Sequence, residues 1–368
     1  MTPPPGQAGA ITGRASLPSP PDREPDADRP RDVEIPRARP PWITRLIGRL
    51  SDVIVVPALI GLRAVLAMVR REPAMRWAER LGALLARVLP LTTFRRNLRA
   101  IAGRDSPAAP ADQVRCVVVR STVHQLQHVV DIVKVLDQRA VPLPELVICA
   151  GEEHLDRALS QGRGVVLLAA HLGNWEITAA WIGSRGHKLS VLYFEQLSPA
   201  LDRYLNRVRQ SFGVGMLHQR RGLKSAVRAL GRNELVGFVT DQDGTASGVF
   251  TDFFGLLVSA PRGAARVAMR YRCPLVHVWN LRLPDGRYRL TFEEPIDPPD
   301  RSGEEEERSL TGRILRGFEE TIRSDPSQWL LSYDRFKLRH VDRLKELGLI
   351  DRALREQLWL QRDRPDAS

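Results

Sequence analysis

From Cys149 onward, short apolar runs alternate with helical stretches, and this alternation restricts the fold more than any other feature of the chain. The apolar runs, each bounded by turn residues, are GVVLLAAH, KLSVLYFE, ELVGFVTD, CPLVHVWN and YRLTFEEP. Helical patterns lie between most of them, at Trp175 to Ser184, Pro199 to Phe212, Gly222 to Gly231 and Pro261 to Tyr271. Strands that alternate with helices are typical of a sheet covered by helices. The sequence therefore predicts an α/β fold with a mostly parallel sheet flanked by helices.

The N-terminal part of the chain has a different character. Residues 1–41 contain 11 of the 27 prolines, and we predict a disordered Pro-rich tail because such a segment buries too little apolar surface to order itself. Residues 42–105 are basic and helical, and they include an apolar run over 53–69 that Arg63 interrupts. This run is slightly short for a spanning helix, and its aromatic and basic flanks suit a membrane interface. We expect a membrane-associated helix, as a short span or in the membrane plane, with a buried helix of a soluble core as the alternative.

The rest of the chain is predicted to form one domain over 106–340 and a charged C-terminal helix over 341–368. The net charge of +12 favours anionic partners such as nucleic acid, an anionic membrane or phosphorylated substrates. No zinc finger, RNA-recognition signature or basic zipper is present, so we expect no nucleic-acid partner. The three cysteines lack CxxC spacing, which argues against a disulfide framework or a zinc site and fits a reducing compartment.

His171 ends the apolar run VVLLAAH, and Glu176 follows five residues later. In an open α/β sheet, ligands bind at the carboxyl ends of the strands, which places His171 in a candidate site. On a straight helix two such residues point about 140° apart, but a strand-to-helix turn with Gly173 and Asn174 in the bend can bring them together. A carboxylate facing an imidazole fixes its tautomer and stabilises its charged form. We therefore predict that His171 is a general base paired with Glu176, and that both are catalytic.

Two further features lie near this predicted site. The backbone N–H groups where the helix begins, around Gly173 and Asn174, could bind an anion or a developing oxyanion, so both are predicted to bind substrate. In VTDQDG, Asp241 and Asp243 follow another apolar strand, and for Asp243 a turn-forming role is the better interpretation. The Phe-Phe-Gly turn in VFTDFFGLLVSAPRG predicts an apolar wall beside the polar groups.

Other motifs point to no metal or cofactor. His124 and His128 share a helix face, but no glutamate stands between them in an HExxH arrangement. Gly162 and Gly164 precede a strand rather than follow it, which indicates a turn and not a dinucleotide fingerprint. Neither a GxSxG elbow nor a Walker motif is present. We predict no metal site and no cofactor.

With these motifs in place, the sequence resembles the lipid A biosynthesis acyltransferases, the late lauroyl and myristoyl transferases. This family lies within the wider H-x4-D/E group of glycerolipid and lysophospholipid acyltransferases. The resemblance runs from about Trp42 to Lys337 and rests on FRRNLRAI, AAHLGNWE, LDRYLNRVRQSFG, VTDQDG and SQWLLSYDRFK. The closing block departs from the family's usual His-Arg-Arg-Trp-Lys and reads Tyr-Asp-Arg-Phe-Lys over residues 333–337.

The resemblance implies a glycerolipid-acyltransferase-like fold over 106–340 and an enzyme of lipid A and lipopolysaccharide biosynthesis. It implies a location at the bacterial inner (cytoplasmic) membrane, on the cytoplasmic face. The enzyme would move a fatty acyl chain from an acyl carrier protein or coenzyme A thioester to a hydroxyl of a lipid A precursor, and Arg209 and Asp241 would bind substrate. A thioester is already activated, so His171 needs only to take the proton of the acceptor hydroxyl.

Two alternatives stay open. The chain could acylate another lipid acceptor, such as a phosphatidylinositol mannoside, an ornithine lipid or a lysophospholipid. It could also be a catalytically dead membrane protein that binds lipid but transfers nothing.

Overall fold

The computed structural model describes residues 41–107, 109–193, 196, 198–218 and 222–361, with side chains from residue 52 onward. By its internal contacts the chain divides into Met1–Arg45 and Leu46–Ser368. The second unit carries the sheet and the candidate site, and the predicted boundaries at residues 105 and 340 fall within it. The Pro-rich tail predicted for residues 1–41 lies outside the described residues, except for its last residue.

Helices make up much of the described chain. The α-helices are α1 (Pro41–Ala67), α2 (Arg71–Leu85), α3 (Thr92–Ala102), α4 (Ala111–Asp131), α5 (Leu143–Leu146), α6 (Glu152–Leu159), α7 (Trp175–Ser184), α8 (Pro199–Gln210), α9 (Leu223–Gly231), α10 (Gly263–Tyr271), α11 (Glu304–Ser324), α12 (Val341–Glu346) and α13 (Ile350–Gln361). A π-helical turn, Ile132–Asp137, continues α4, and a 3-10 turn, Pro326–Gln328, follows α11.

The strands form one large sheet and one hairpin. They are β1 (Val147–Ala150), β2 (Val165–Ala169), β3 (Leu189–Tyr193), β4 (Gly215–His218), β5 (Leu235–Val239), β6 (Val249–Phe253), β7 (Leu256–Ala260), β8 (Leu275–Arg282) and β9 (Tyr288–Phe292). The sheet has the order β1-β9-β8-β2-β5-β3-β4, and β6 pairs with β7. Neighbours in the sheet are parallel except for the antiparallel pair β8 and β9.

Strand β2 lies at the centre of the sheet and is covered on both faces. Val166 and Leu168 belong to one buried cluster, whereas Val165 and Leu167 belong to the other. Side chains of a strand alternate between the two faces of its sheet, so a strand buried on both faces reads as a continuous apolar run. This is why VVLLA shows no polar residue until the strand has ended.

The predicted mostly parallel sheet flanked by helices is confirmed. All five predicted strands are present, as β2, β3, β5, β8 and β9, and the four predicted helices are α7 to α10, with bounds within two residues of those predicted. The sequence pattern missed β1, β4 and the β6–β7 hairpin. In the described part of the C-terminal charged helix predicted over 341–368, two helices, α12 and α13, are separated at Gly348, where the backbone has φ +66°.

The described helices include none that is both long and apolar enough to cross a membrane. Helices α1 and α2 contact α4 through a buried cluster that contains Leu66, Met75 and Val130. Membrane association of the run over 53–69 stays a prediction.

Candidate active site

The site forms where two neighbouring strands end. Ala169 of β2 pairs with Val239 of β5 in parallel register, so His171 and Asp241 each follow two residues after a paired position. Parallel neighbours lie about 4.8 Å apart, which brings the two side chains together at one edge of the sheet. The strand adjacency, and not a local motif, therefore selects Asp241 as the partner of His171.

The Asp241 carboxylate is held by three donors. His171 Nδ1 lies 2.8 Å from Asp241 Oδ1, and the His171 backbone N–H donates to Asp241 Oδ2 at 3.0 Å. The indole Nε1–H of Trp329 donates to the same Oδ2 at 2.8 Å. Asp241 is 2% exposed, whereas the side chain of His171 is 22% exposed. The acid is thus enclosed by protein, and the imidazole reaches outward.

The two members of this pair shift each other's pKa. Burial alone would lower the pKa of His171, but the charge of Asp241 and its hydrogen bond, with help from Glu176, raise it above the ordinary value. Burial alone would raise the pKa of Asp241, but the charge and hydrogen bonds of His171 and the Trp329 bond lower it. An ionised Asp241 accepts only, so it fixes the proton of His171 on Nδ1 and leaves the Nε2 lone pair available as a base.

Two described side chains, Gln242 and Trp175, lie close to the His171 imidazole. The side-chain amide nitrogen of Gln242 lies 3.5 Å from His171 Nε2. The Trp175 ring meets the His171 ring edge-on, with centroids 5.0 Å apart. Gln242 therefore places a neutral N–H donor next to the atom at which a proton would be taken.

The predicted contact between His171 and Glu176 is wrong. Glu176 is 6% exposed, and both of its carboxylate oxygens accept from Arg209, at 2.8 Å from Nε and 2.6 Å from Nη2. Burial alone would raise the pKa of Glu176, but the bonds and charge of Arg209 lower it. Glu176 is already the second residue of α7, so it faces α8 and not the strand end. A buried carboxylate needs a cation, and α8 supplies one.

This pairing also changes the interpretation of Arg209. Its guanidinium binds Glu176 with two N–H groups, and its Nη1 donates to Asn206 Oδ1 at 3.2 Å. These bonds occupy the planar edge that would clamp a phosphate. Substrate binding by Arg209 stays a prediction, and its described contacts join α8 to α7.

The predicted substrate contacts of Asn174 and Gly173 are already engaged within the protein. The Asn174 N–H donates to Asn280 Oδ1 at 2.7 Å, and its side-chain oxygen caps α7 by accepting from Ile177 N at 3.2 Å. The Gly173 N–H donates to the Gln328 carbonyl at 2.9 Å. A Cβ at residue 173 would lie 1.8 Å from the Asn280 carbonyl oxygen. The described contacts of both residues therefore shape the strand-to-helix turn, and substrate binding by either residue stays a prediction.

Asp241 likewise fits a different role from the predicted substrate contact. Its described bonds and its burial direct it to His171, so it positions the imidazole.

The predicted apolar wall takes the form of an aromatic cluster behind Trp329. The rings of Phe253, Phe254 and Phe336 lie with their centroids 6.0–6.5 Å from that of Trp329. Phe253 and Phe254 lie at the tip of the β6–β7 hairpin and are buried. The cluster thus holds the indole that holds Asp241, while the acyl-chain slot stays a prediction.

His124 and His128 both lie on α4. Burial lowers the pKa of both His124 and His128 to about 4, which keeps them neutral. Within the described ranges, no group of three or more His, Cys, Asp or Glu side chains could hold a metal ion.

Sequence reasoning assigned no role to two residues of the site, Gln242 and Trp329. Gln242 stands beside Asp241 in VTDQDG, so the strand end marked its position. Trp329 lies in the closing block SQWLLSYDRFK, far from both strands along the chain, and no local pattern connects it with Asp241.

Known proteins similar to this chain carry acyltransferase names. A phosphatidylinositol mannoside acyltransferase of Mycobacterium tuberculosis is 30% identical over 194 residues, which is 50% of this chain and 60% of that protein. A lipid A biosynthesis lauroyltransferase of Escherichia coli is 28% identical over 206 residues, 55% of this chain and 65% of that protein. Each match thus spans less than two thirds of the relative's length.

Among solved structures, the chain is similar to the 1-acyl-sn-glycerophosphate acyltransferase of Thermotoga maritima. The TM-score is 0.33 with 15% identity, over 66% of this chain and 97% of that one, which is too low to support an argument. The sequence model of the family "Bacterial lipid A biosynthesis acyltransferase" matches residues 50–338 of this chain. This range is more than half of the chain, and it includes both strand ends of the site and the Glu176–Arg209 pair. The chain therefore belongs to the bacterial lipid A biosynthesis acyltransferase family.

Proposed function

We propose that this protein transfers a fatty acyl chain from a thioester donor to a hydroxyl of a membrane glycolipid. The observation that carries the proposal is the outward-reaching His171, whose Nδ1 is bound by the buried Asp241 at 2.8 Å. In the neutral imidazole this arrangement places the proton on Nδ1, so Nε2 can act as a general base, and 22% of the side chain is exposed.

The proposed reaction needs one base that later acts as an acid. His171 Nε2 takes the proton of the acceptor hydroxyl while its oxygen attacks the thioester carbonyl carbon. The tetrahedral intermediate then collapses, the carbon–sulfur bond breaks, and the imidazolium returns the proton to the leaving sulfur. The products are an ester and a free thiol on the donor, so no protein nucleophile is used. Asp241 balances the charge of the imidazolium through both steps.

The tetrahedral intermediate carries a negative oxygen that needs a donor. Gln242 is our candidate, because its amide nitrogen lies 3.5 Å from His171 Nε2. A neutral donor fixed beside the developing charge stabilises it without reorganising. The backbone N–H groups of Gly173 and Asn174 already donate to the Gln328 carbonyl and to Asn280 Oδ1, which favours Gln242 for this role.

For the acceptor we propose a glycolipid hydroxyl, with a lipid A precursor and a phosphatidylinositol mannoside as the two candidates. Relatives named for each of these acceptors match the chain at 28–30% identity. For the donor we propose acyl carrier protein or coenzyme A, and the excess positive charge of the chain suits either an acidic carrier or a phosphorylated cofactor tail.

We propose further that helices α1 and α2 lie in the plane of the bacterial inner membrane, at its cytoplasmic face. Their exposed apolar side chains include Val53, Ile54, Ile60, Val65, Trp77, Leu81, Leu84 and Leu85. Arg76 and Arg80 are exposed beside them. Exposed apolar and basic side chains on one helix pair favour an anionic membrane interface.

A transfer assay tests the proposal. Purified full-length protein is mixed with a donor whose acyl chain is radiolabelled, either acyl carrier protein or coenzyme A. Each candidate acceptor is added in mixed micelles, and the products are separated by chromatography. We expect label in one glycolipid. Mass spectrometry of lipids from cells with and without the protein should show the loss of one acyl chain. Binding of the glycolipids without any transfer would instead support the catalytically dead lipid-binding protein.

A further inference from the structure

A cavity separate from the His171 pair lies between the β6–β7 hairpin, residues 335–340 and helix α13. Its volume is about 40 Å³. Arg335, Arg339 and Gln357 line it together with the carboxylates of Asp243 and Glu356. We call it the C-terminal cavity. It is large enough for a few water molecules or one small tetrahedral anion.

Three residues that line the C-terminal cavity each carry a buried N–H donor for which the described residues provide no acceptor. Arg335 Nε, Arg339 Nη1 and Gln357 Nε2 are all buried, and none has a hydrogen-bond partner among the described residues. Buried donors without partners are rare, and each costs about 1–3 kcal/mol. Three such donors around one cavity point to a group with several acceptor oxygens.

The buried charge of the Arg335 guanidinium also indicates an anionic ligand. Arg335 is 2% exposed, and its Nη2 donates to the Ser259 carbonyl at 2.9 Å. In the described part of the chain, no carboxylate forms an ion pair with Arg335 or Arg339. Burial lowers the pKa of Arg335 to about 10, although the charges of Asp241 and Asp243 act in the opposite direction. A buried charge without a paired counter-ion is strongly unfavourable.

The two acids that line the cavity are already engaged. Asp243 binds His340 Nε2 at 2.9 and 3.0 Å. Glu356 accepts from Arg104 and Arg352, at 3.2 and 2.8 Å, and from the Leu257 N–H at 2.7 Å. The cavity is therefore left with an excess of positive charge.

We propose that the C-terminal cavity binds a phosphate group through Arg335, Arg339 and Gln357. Guanidinium N–H groups match the oxygens of a tetrahedral oxyanion, and an amide N–H adds a neutral donor. Asp243 stands two residues after Asp241 in the same loop, so the bound phosphate lies beside the loop that positions the base. The phosphate comes either from inorganic phosphate in solution or from the headgroup of an anionic lipid.

Thermal unfolding of the purified full-length protein tests this site without any transfer assay. Sodium phosphate is compared with sodium chloride at equal ionic strength. We expect saturable stabilisation by phosphate of roughly 3–6 °C. Equal melting temperatures in the two salts would mean that water fills the cavity, and would overturn the proposal.

The Gln357→Glu variant sharpens the test. It keeps the side-chain oxygen that accepts from Leu338 N at 2.7 Å, replaces the unpartnered donor and gives the two guanidinium groups a carboxylate. We expect a higher melting temperature without phosphate and no further rise with it. Gln161→Glu, at an exposed residue before β2, is the matched control and should keep the phosphate response. A wild-type phosphate response in Gln357→Glu would overturn the proposed site.

Two further arms use other probes. Arg335→Met removes the buried charge and should also abolish the phosphate response, whereas a retained response would contradict the proposal. Vesicles of phosphatidylcholine with and without phosphatidic acid separate the sources. The melting temperature is compared between the wild type and Gln357→Glu. A rise in the wild type alone, and only with phosphatidic acid, assigns the site to a lipid phosphate. A rise in the wild type alone with inorganic phosphate assigns it to the free ion.

Discussion

His171 and Glu176 stand on one strand-to-helix turn, yet their side chains join two different ion pairs. The His171–Asp241 pair connects two parallel strand ends, and one member is 22% exposed. The Glu176–Arg209 pair connects two helices, and its members are 7% and 16% exposed. Among the described residues, His171 Nε2 of the first pair has one polar contact, to the Gln242 amide nitrogen at 3.5 Å, whereas both carboxylate oxygens of the second pair are engaged. The comparison shows that a histidine and an acid five residues apart need not form a dyad, and that strand order decides which carboxylate meets the imidazole.

The largest effect should come from removing the base itself. We expect His171→Ala to lower acyl transfer about 10²–10⁴-fold, the usual contribution of a general base, while the melting temperature stays close to that of the wild type. Turnover numbers and thermal unfolding measure the two quantities. His187→Ala is the control, because His187 precedes the first residue of β3, at the end of the strand away from the site. This variant should transfer normally. Normal transfer by His171→Ala would exclude the base role.

The next effect comes from the partner that strand order selects. We expect Asp241→Asn to slow transfer about 10²–10³-fold, because an amide can favour the wrong tautomer and carries no balancing charge. Transfer needs the neutral imidazole, so the wild-type rate should rise as pH increases through the raised pKa of His171. Loss of the Asp241 charge lowers that pKa, which shifts the acid limb of the kcat/KM profile to lower pH. An unmoved limb would contradict the pairing.

The Glu176–Arg209 pair should contribute mainly to the stability of the fold and should change the pH dependence of kcat/KM only slightly. Glu176→Gln leaves the buried Arg209 guanidinium without its counter-ion, and we expect a loss of about 3 kcal/mol in the free energy of unfolding. Urea titration measures this loss. The double variant Glu176→Leu with Arg209→Met should recover most of it, since apolar replacement of a buried pair is often neutral. A shift of the acid limb in Glu176→Gln as large as that in Asp241→Asn would restore Glu176 as the partner of His171.

The smallest effect should follow the loss of one hydrogen bond to Asp241. Trp329→Phe keeps an aromatic ring among Phe253 and Phe336 but removes the indole N–H, and we expect transfer to fall about tenfold. The Asp241 charge is then less stabilised and attracts the imidazolium more strongly. The acid limb should therefore move slightly to higher pH, opposite to the shift in Asp241→Asn. A pH profile of the purified variant distinguishes the two directions.

The sequence was informative where a local pattern determines the structure. The run VVLLA indicated a strand buried on both faces, and α7 begins and ends at the predicted residues Trp175 and Ser184. The position of His171 at a strand end followed from this run alone. The hairpin of β6 and β7 was missed because its two apolar strands meet at Phe254 and Gly255, which both have positive φ, and the pattern indicated only a turn.

The partner of His171 could not be predicted from local pattern because it depends on which strands are neighbours. Strand β5 lies beside β2, although β3 follows β2 along the chain. Asp241 and His171 are 70 residues apart in the sequence. They come into contact only because β2 pairs with β5. Trp329 is more distant still, since its bond to Asp241 spans 88 residues.

The three hydrogen bonds that Asp241 accepts also affect the mobility of His171. The same carboxylate binds the ring and the peptide N–H of His171, so the acid is fixed to the main chain of His171 and holds the ring against rotation. The imidazole is therefore ordered before any acceptor arrives, and little rotational entropy is lost at that step. In the proposed reaction, substrate binding energy can then be used to align the acceptor hydroxyl with the thioester.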